Sequence, residues 1–143
     1  MVISSASIQS VVDFDLDEVL NLYRSAGWTA YTDNPQVLQA AVAGSNRVVV
    51  ARIDGRLVGL ARVISDGAIV AYLQDVLVRP DCQRSGVGAA LVRSALVPYE
   101  MVRQKVLLSD NGAAQRVFYQ ALGFHEAADH PAGPLRAFVR FNA

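Results

Sequence analysis

The stretch from Val76 to Val97 constrains the fold more than any other. Val76-Leu77-Val78 is an apolar run, Arg79-Pro80-Asp81-Cys82 breaks it, Gln83-Arg84-Ser85-Gly86-Val87-Gly88 turns the chain, and Ala89 to Val97 reads as an amphipathic helix. A strand thus passes through a glycine-bearing turn into a helix. Gly86 and Gly88 remove side chains where a backbone must come close to a ligand, and a helix starting there directs unpaired N–H groups and its positive dipole end at the same spot. A phosphate or diphosphate suits that field. Two commoner phosphate loops fail the comparison. A P-loop closes on Gly-Lys-Ser/Thr, whereas Gly88 is followed by Ala89 and Ala90. A dinucleotide fingerprint needs a small third residue where Leu91 stands, and it opens the first βα unit instead of following half the chain.

A length of 143 residues predicts one domain, 1–143, with no internal linker and a core that needs no disulfide or metal. Thirteen basic residues balance thirteen acidic ones, so no global field draws the chain to nucleic acid or to an anionic membrane. Met-Val-Ile-Ser-Ser-Ala lacks the basic start and apolar run of a signal peptide, and no apolar stretch approaches the roughly 20 residues of a membrane span. Cys82 is the only cysteine and there are two histidines, which fits a reducing cytoplasm and predicts no metal site.

Val2 to Gln9 is predicted as an edge strand. Asp15 with Glu18 three residues on makes a capping-box pattern for a helix carrying Leu16, Val19, Leu20 and Tyr23, and Asn34-Pro35 opens a second helix that Gly44 ends. Gly27 to Asp33 between them reads as a loop with the only tryptophan. Arg47–Ile53 and Arg56–Ile64 flank Asp54-Gly55, a pair suited to a type I′ hairpin turn. Ala68 to Val78 is long for a strand and predicts a β-bulge. Lys105 to Leu108 reads as a strand parallel to it, because a helix crossover joins them. Asp110 or Asn111 is the expected cap of a further helix with Gly123 behind it, and Leu135, Ala137, Val139 and Phe141 alternate with Arg136 and Arg140 in a closing strand. The expected class is α+β, a mixed and mostly antiparallel sheet with helices on both faces.

At two places the sequence resembles the GNAT superfamily of acyl-CoA-dependent N-acetyltransferases. Val78-Arg79-Pro80 followed by Gln83-Arg84-Ser85-Gly86-Val87-Gly88 matches the family's V-x-P and Q/R-x-x-G-x-G/A, and Tyr119-Gln120-Ala121-Leu122-Gly123-Phe124 matches its Y-x-x-L-G-F. The resemblance covers nearly the whole chain and is specific for acyl-CoA, not for the acceptor. It implies a bulged, splayed fourth strand whose slot takes the pantetheine arm of acetyl-CoA. The diphosphate would lie on Gln83, Arg84, Ser85, Gly86, Val87, Gly88 and Ala89, with Asn111 as a further cofactor residue and Val76 and Val78 pairing with pantetheine.

Transfer to an amine needs a held thioester, donors for the carbonyl oxygen and proton traffic. The resemblance implies an amide near Leu77 as the oxyanion donor and Tyr119 as proton donor to the departing thiolate. Many members carry a glutamate in the fourth strand; here Tyr72 stands in that place. Asp75 is then the best carboxylate for a base, with a partner for a neighbouring arginine or a bulge-facing solvent residue as the equal alternative. Trp28, Tyr31, Asp33 and Tyr72 are the acceptor-side candidates, although a loop tryptophan more often plugs a gap between helices. No histidine stands near Cys82 to activate it, so an acetyl-cysteine route is disfavoured.

The expected activity is direct acetyl transfer from acetyl-CoA to a primary amine in a ternary complex. Small molecules are favoured as acceptors because no basic or acidic track suits a peptide tail. The alternatives are a non-catalytic acyl-CoA sensor or regulatory module, a protein N-terminal or lysine acetyltransferase, and a nucleotide-binding domain using the same turn. The exposed closing strand also allows a homodimer.

Overall fold

In a computed structural model, which describes residues 5–142, the first helix begins where its cap dictates. Asp15 accepts a hydrogen bond from the Glu18 amide at 3.2 Å, and α1 (Leu16–Ser25) buries Val19, Leu20, Leu22 and Tyr23. Asp15→Ala should lower the unfolding free energy by about 1 kcal/mol in urea titration, whereas Asp15→Asn should cost far less because it keeps the accepting oxygen. Asn34 and Pro35 open α3 (Pro35–Ala43), and Gly44 follows it, as the sequence predicts. The stretch between, expected as a loop, contains the short helix α2 (Thr29–Thr32).

The chain forms two compact units, Met1–Leu108 and Ser109–Ala143. In the first, five strands lie in the order β1-β2-β3-β4-β5, all antiparallel except the parallel β4–β5 pair. They are β1 (Ser7–Val11), β2 (Arg47–Ile53), β3 (Arg56–Ser65), β4 (Val70–Val78) and β5 (Gln104–Val106). The edge strand is therefore later than the expected Val2–Gln9; residues 2–4 of that expectation lie outside the described residues. Asp54 and Gly55 both take positive φ, 50° and 80°, as a type I′ hairpin requires. β4 starts at Val70 instead of Ala68 because the Asp66 carboxylate takes the amides of Ala68, Ile69 and Val70 at 2.8–3.1 Å, holding those residues in a turn.

Helices cover both faces of this sheet. Val48, Val50, Leu57, Leu60 and Leu77 share a core with Val19, Leu22 and Tyr23 of α1 and Leu38 and Val42 of α3. On the opposite face α4 (Val87–Leu96) comes so close that a Cβ at Gly59 would stand 2.8 Å from Leu91 Cδ1 and 3.1 Å from the Leu77 carbonyl oxygen.

In the second unit, α5 (Ala113–Ala121) is capped by Gly112, with no side-chain bond from Asp110 or Asn111. Arg116 bridges to Glu126 and Asp129, at 3.7 and 3.5 Å. The expected closing strand does not form: residues 134–142 belong to no ladder among the described residues and are exposed throughout. Alternation tells how a segment can pair, and not with what.

Candidate active site

The site begins at one extra residue. Arg62 of β3 pairs with Asp75 of β4, and the next residue, Val63, pairs with Leu73, so Gln74 is a bulge with no partner of its own. The bulge reverses which residues share a face. Tyr72 lies opposite Ile64 and Asp75 opposite Arg62, so both look toward the α1 and α3 side, where strict alternation would have separated them.

Asp75 is only 1% exposed and is tied in on all sides. Its Oδ2 accepts from Arg62 Nε at 2.6 Å and from the Tyr23 hydroxyl at 2.8 Å, and its Oδ1 accepts from the Tyr31 hydroxyl at 3.3 Å. Arg62 Nη1 also donates to Ala41 O and Ser45 Oγ, so the pair links α3 to the bulge. The carboxylate is thus an arginine partner, the structural alternative left open by the sequence, and it reaches outward only through Tyr31. The bulge residue Gln74 donates from Nε2 to the Tyr31 oxygen at 3.2 Å. Burial, and then the neighbouring Asp75, raise the Tyr31 phenol above its ordinary pKa; Tyr72 is raised by burial, with Tyr31 and Asp75 adding to it. Trp28 sits edge-on to Tyr23 at 5.8 Å and 5.8 Å from Tyr31, packed against the α1 and α3 core. Asp33 is exposed just after α2.

β4 then parts from β5. The two pair only at Val70–Tyr72 with Gln104–Val106, leaving the outer edge of β4 from Leu73 to Val78 without a strand partner among the described residues. The Arg79 amide donates to Val58 O at 2.8 Å, which fixes the parity of the edge. Because backbone groups alternate sides, Leu77 turns its amide toward β3 while Val76 and Val78 direct theirs into the open slot. The amides of Val76 and Val78 therefore face the open edge, and the Leu77 amide, expected near the oxyanion, faces β3 instead.

The slot ends at the glycine turn. Arg84 and Gly86 take left-handed φ values of 64° and 85°, and Gly86 caps α4 with no side chain. The first helical bond runs from the Ala90 amide to Gly86 O at 3.1 Å, so Val87, Gly88 and Ala89 have amides without helical partners. Gln83, Arg84 and Ser85 are exposed around them; Gln83 Nε2 donates to Val78 O, and the Ser85 hydroxyl to Cys82 O. With Arg84 and Gly86 both left-handed, the backbone turns around these free amides, an arrangement whose chemistry suits an anion. Burial, with Asp81 beside it, pushes the Cys82 thiol up, which disfavours it as a nucleophile. Among the described residues no group of three His, Cys, Asp or Glu is placed to hold a metal.

In the second unit the Y-x-x-L-G-F motif has a backbone explanation. After α5, Gly123 at φ 93° donates to Gln120 O and Phe124 donates to Tyr119 O, each at 3.0 Å, a Schellman cap. The Phe124 ring lies 6.0 Å from that of Tyr119 and 81° from its plane, the apolar contact that accompanies such a cap. Burial raises the Tyr119 phenol. Asn111 is exposed before α5.

Sequence reasoning missed Arg62, Tyr23 and Gln74. The signal for Arg62 was a lone charge inside the apolar run Leu57–Ile64, the counterpart of Asp75 in its own strand.

A family model for the acetyltransferase (GNAT) domain matches residues 44–126. The chain is 44% identical over 70 residues to GCN5-related N-acetyltransferase 2, chloroplastic, of Arabidopsis thaliana; the match covers 48% of this chain and only 27% of that relative. Among solved structures it is similar to a GNAT-family acetyltransferase of Streptococcus pneumoniae, with 26% identity, a TM-score of 0.84, and coverage of 96% of this chain and 98% of that one. An aminoglycoside N-acetyltransferase in complex with CoA shares the fold at 19% identity, with a TM-score of 0.72 and coverage of 98% and 97%. The ribosomal-protein-S18-alanine N-acetyltransferase of Escherichia coli does so at 24% identity, with a TM-score of 0.72 and coverage of 85% and 79%. With the bulge, the parted strands and the amide cradle in one sheet, and a family model spanning more than half of its residues, this chain belongs to the GNAT family of acetyltransferases.

Proposed function

We propose that residues 1–143 act as one N-acetyltransferase domain that moves an acetyl group from acetyl-CoA to the primary amine of a small molecule. The observation that carries this reading is the continuous open edge of β4 leading into the amide cradle. The diphosphate rests on the amides of Val87, Gly88 and Ala89, with Gln83, Arg84, Ser85 and Gly86 around it, and Asn111 is a further contact that rests on the family resemblance alone. Pantetheine pairs with Val76 and Val78.

The amine nitrogen attacks the thioester carbon, and the carbonyl electron pair moves onto oxygen, where the Val76 amide donates to it. Collapse breaks the C–S bond, leaving an amide and the CoA thiolate. Tyr31, its hydroxyl held by Asp75, receives a hydrogen bond from the incoming amine on its oxygen; Asp75 acts through Tyr31, and solvent collects the proton. Tyr72, Trp28 and Asp33 flank the acceptor. Tyr119 hydrogen-bonds the thiolate, a role carried over from its motif. Its phenol, ordinarily near 10 against about 8.5 for a thiol and raised further by burial, favours a hydrogen bond over full transfer. Tyr119→Phe should leave acetyl-CoA affinity intact and lower turnover roughly a hundredfold; unchanged turnover with a saturating amine removes the role.

The balance of thirteen basic and thirteen acidic residues supports a small acceptor over a protein tail. A sole cysteine supports a reducing, cytoplasmic location, and among the described residues no helix is long and apolar enough to cross a membrane. Thiol release measured across a panel of polyamines, aminoglycosides and amino-terminal peptides tests the whole reading. Release with small amines is the expected result. Release only with peptides makes the chain a protein acetyltransferase, and tight acetyl-CoA binding with no release makes it a sensor. ATP or NAD binding tighter than CoA overturns the cradle assignment.

A further inference from the structure

We propose that the acceptor subsite takes an amine that is uncharged at neutral pH, one carried directly on an aromatic ring, and that Gln74 sets this choice. The proposal rests on the acetyltransferase reading above and names the class of acceptor that reading leaves open. Around Tyr31 the hydrogen bonds have only one arrangement. Its hydroxyl has a single proton, and the Asp75 carboxylate, paired with Arg62, can only accept, so the proton goes to Asp75 Oδ1 at 3.3 Å. Gln74 must then turn Nε2 to the Tyr31 oxygen, at 3.2 Å, which leaves Gln74 Oε1 without a hydrogen-bond partner among the described residues. No buried side-chain nitrogen or oxygen lacks a partner among those residues, so Oε1 is open to solvent. Tyr31 and Gln74 thus present two neutral acceptor oxygens side by side.

An uncharged amino group fits that pair. Its two N–H groups donate to the Tyr31 oxygen and to Gln74 Oε1, and its lone pair stays free for the thioester carbon, whereas an ammonium has no lone pair to give. Nothing in the group removes the extra proton of an ammonium. Arg62 cancels the charge of Asp75 at 2.6 Å, and the tyrosines take up both carboxylate oxygens. The Tyr31 and Tyr72 phenols, raised by burial, stay protonated at pH 7. Asp33 is exposed, so water screens its charge. An ammonium would shed water among Trp28, Tyr31 and Tyr72 with no free counter-charge, and its attraction to the ring faces offsets only part of that cost.

The same walls favour an aromatic carrier. The Trp28 and Tyr31 rings lie 5.8 Å apart and 33° from parallel, and the buried Tyr23 backs Tyr31 at 5.5 Å. An amine on an aromatic ring is uncharged at pH 7 because its lone pair is delocalised, whereas an alkylamine with a pKa of about 10 is uncharged in only about one molecule in a thousand. Attack on the thioester makes the arylamine nitrogen strongly acidic, and water takes its proton without a protein base.

Calorimetry on the full chain saturated with CoA compares para-methoxyaniline with para-methoxybenzylamine, which differ by one methylene. The arylamine should bind at least tenfold more tightly at pH 7, and the affinity of the alkylamine alone should rise about tenfold per pH unit up to pH 9, in step with its uncharged fraction. Gln74→Glu places a carboxylate beside the nitrogen and should reverse the preference at pH 7. Should that variant not fold, Gln74→Met, which keeps the length and loses both polar atoms, should weaken the arylamine at least tenfold. Thiol release from acetyl-CoA is measured alongside. Release with an alkylamine bound at pH 7 as tightly as the arylamine, with an alkylamine affinity that ignores pH, or with no measurable arylamine binding leaves the transferase reading standing and overturns this one. Gln74 variants with the wild-type preference and affinities overturn the assignment of the choice to Gln74. No release with either amine or with any amine of the panel overturns the transferase reading, and the choice of acceptor with it.

Discussion

Asp75→Ala should reduce the unfolding free energy of the unit that contains the sheet by about 3–5 kcal/mol, read as a shift in its urea midpoint at unchanged slope. The size follows from what is left behind. Arg62 and Asp75 have side chains only 5% and 1% exposed, so removing the carboxylate strands a guanidinium away from water and takes the acceptor from Tyr23 and Tyr31 together. Asp75→Asn keeps one accepting oxygen, and so the bond from only one of the two tyrosines, which donate to different carboxylate oxygens; it cannot neutralise Arg62 and should fall between wild type and alanine. Replacing both partners, Arg62→Leu with Asp75→Leu, should recover much of the loss, because two desolvated charges leave together. A loss below 1 kcal/mol for Asp75→Ala would mean that the pair is hydrated and that Asp75 is free to act as a base.

The same pair marks where sequence reading stops. The caps at Asp15 and Asn34, the Asp54-Gly55 turn and the glycine cradle are written in residues a few positions apart, and local chemistry decides them. The bulge is different. The length of the apolar run announced it, but its position at Gln74 depends on the register of β4 against β3, a contact between segments whose pairing no local pattern specifies. That position brings Tyr72 and Asp75 onto one face and Arg62 against Asp75. Parity likewise separates Leu77 from Val76: a one-residue difference reverses which amide faces the slot. Residues 134–142 fail for the complementary reason. Their alternation is legible, whereas the identity of their partner is a property of the assembled sheet.

Parity also sets the second large effect. Val76→Pro should lower kcat by about 10²–10³ while the sheet stays folded, and Leu77→Pro should unfold it. Proline removes one amide and holds φ near a value that an edge strand tolerates. At Val76 the lost amide faces the open slot, where no strand bonds to it among the described residues, so the expected loss falls on the developing oxyanion. At Leu77 the lost amide belongs to the β3 ladder, in register with Leu60 at the centre of the α1 and α3 core. Circular dichroism melts of both variants, with thiol release from the best amine of the panel, separate the two. If Val76→Pro turns over at the wild-type rate, the oxyanion is held elsewhere. If Leu77→Pro folds normally while losing turnover, the parity is inverted and the donor belongs to Leu77 after all. The two sites differ by a single step along one strand and lie at nearly the same distance from the cradle, but Leu77→Pro also removes a side chain buried in the α1 and α3 core, so its stability loss combines the ladder bond with lost packing.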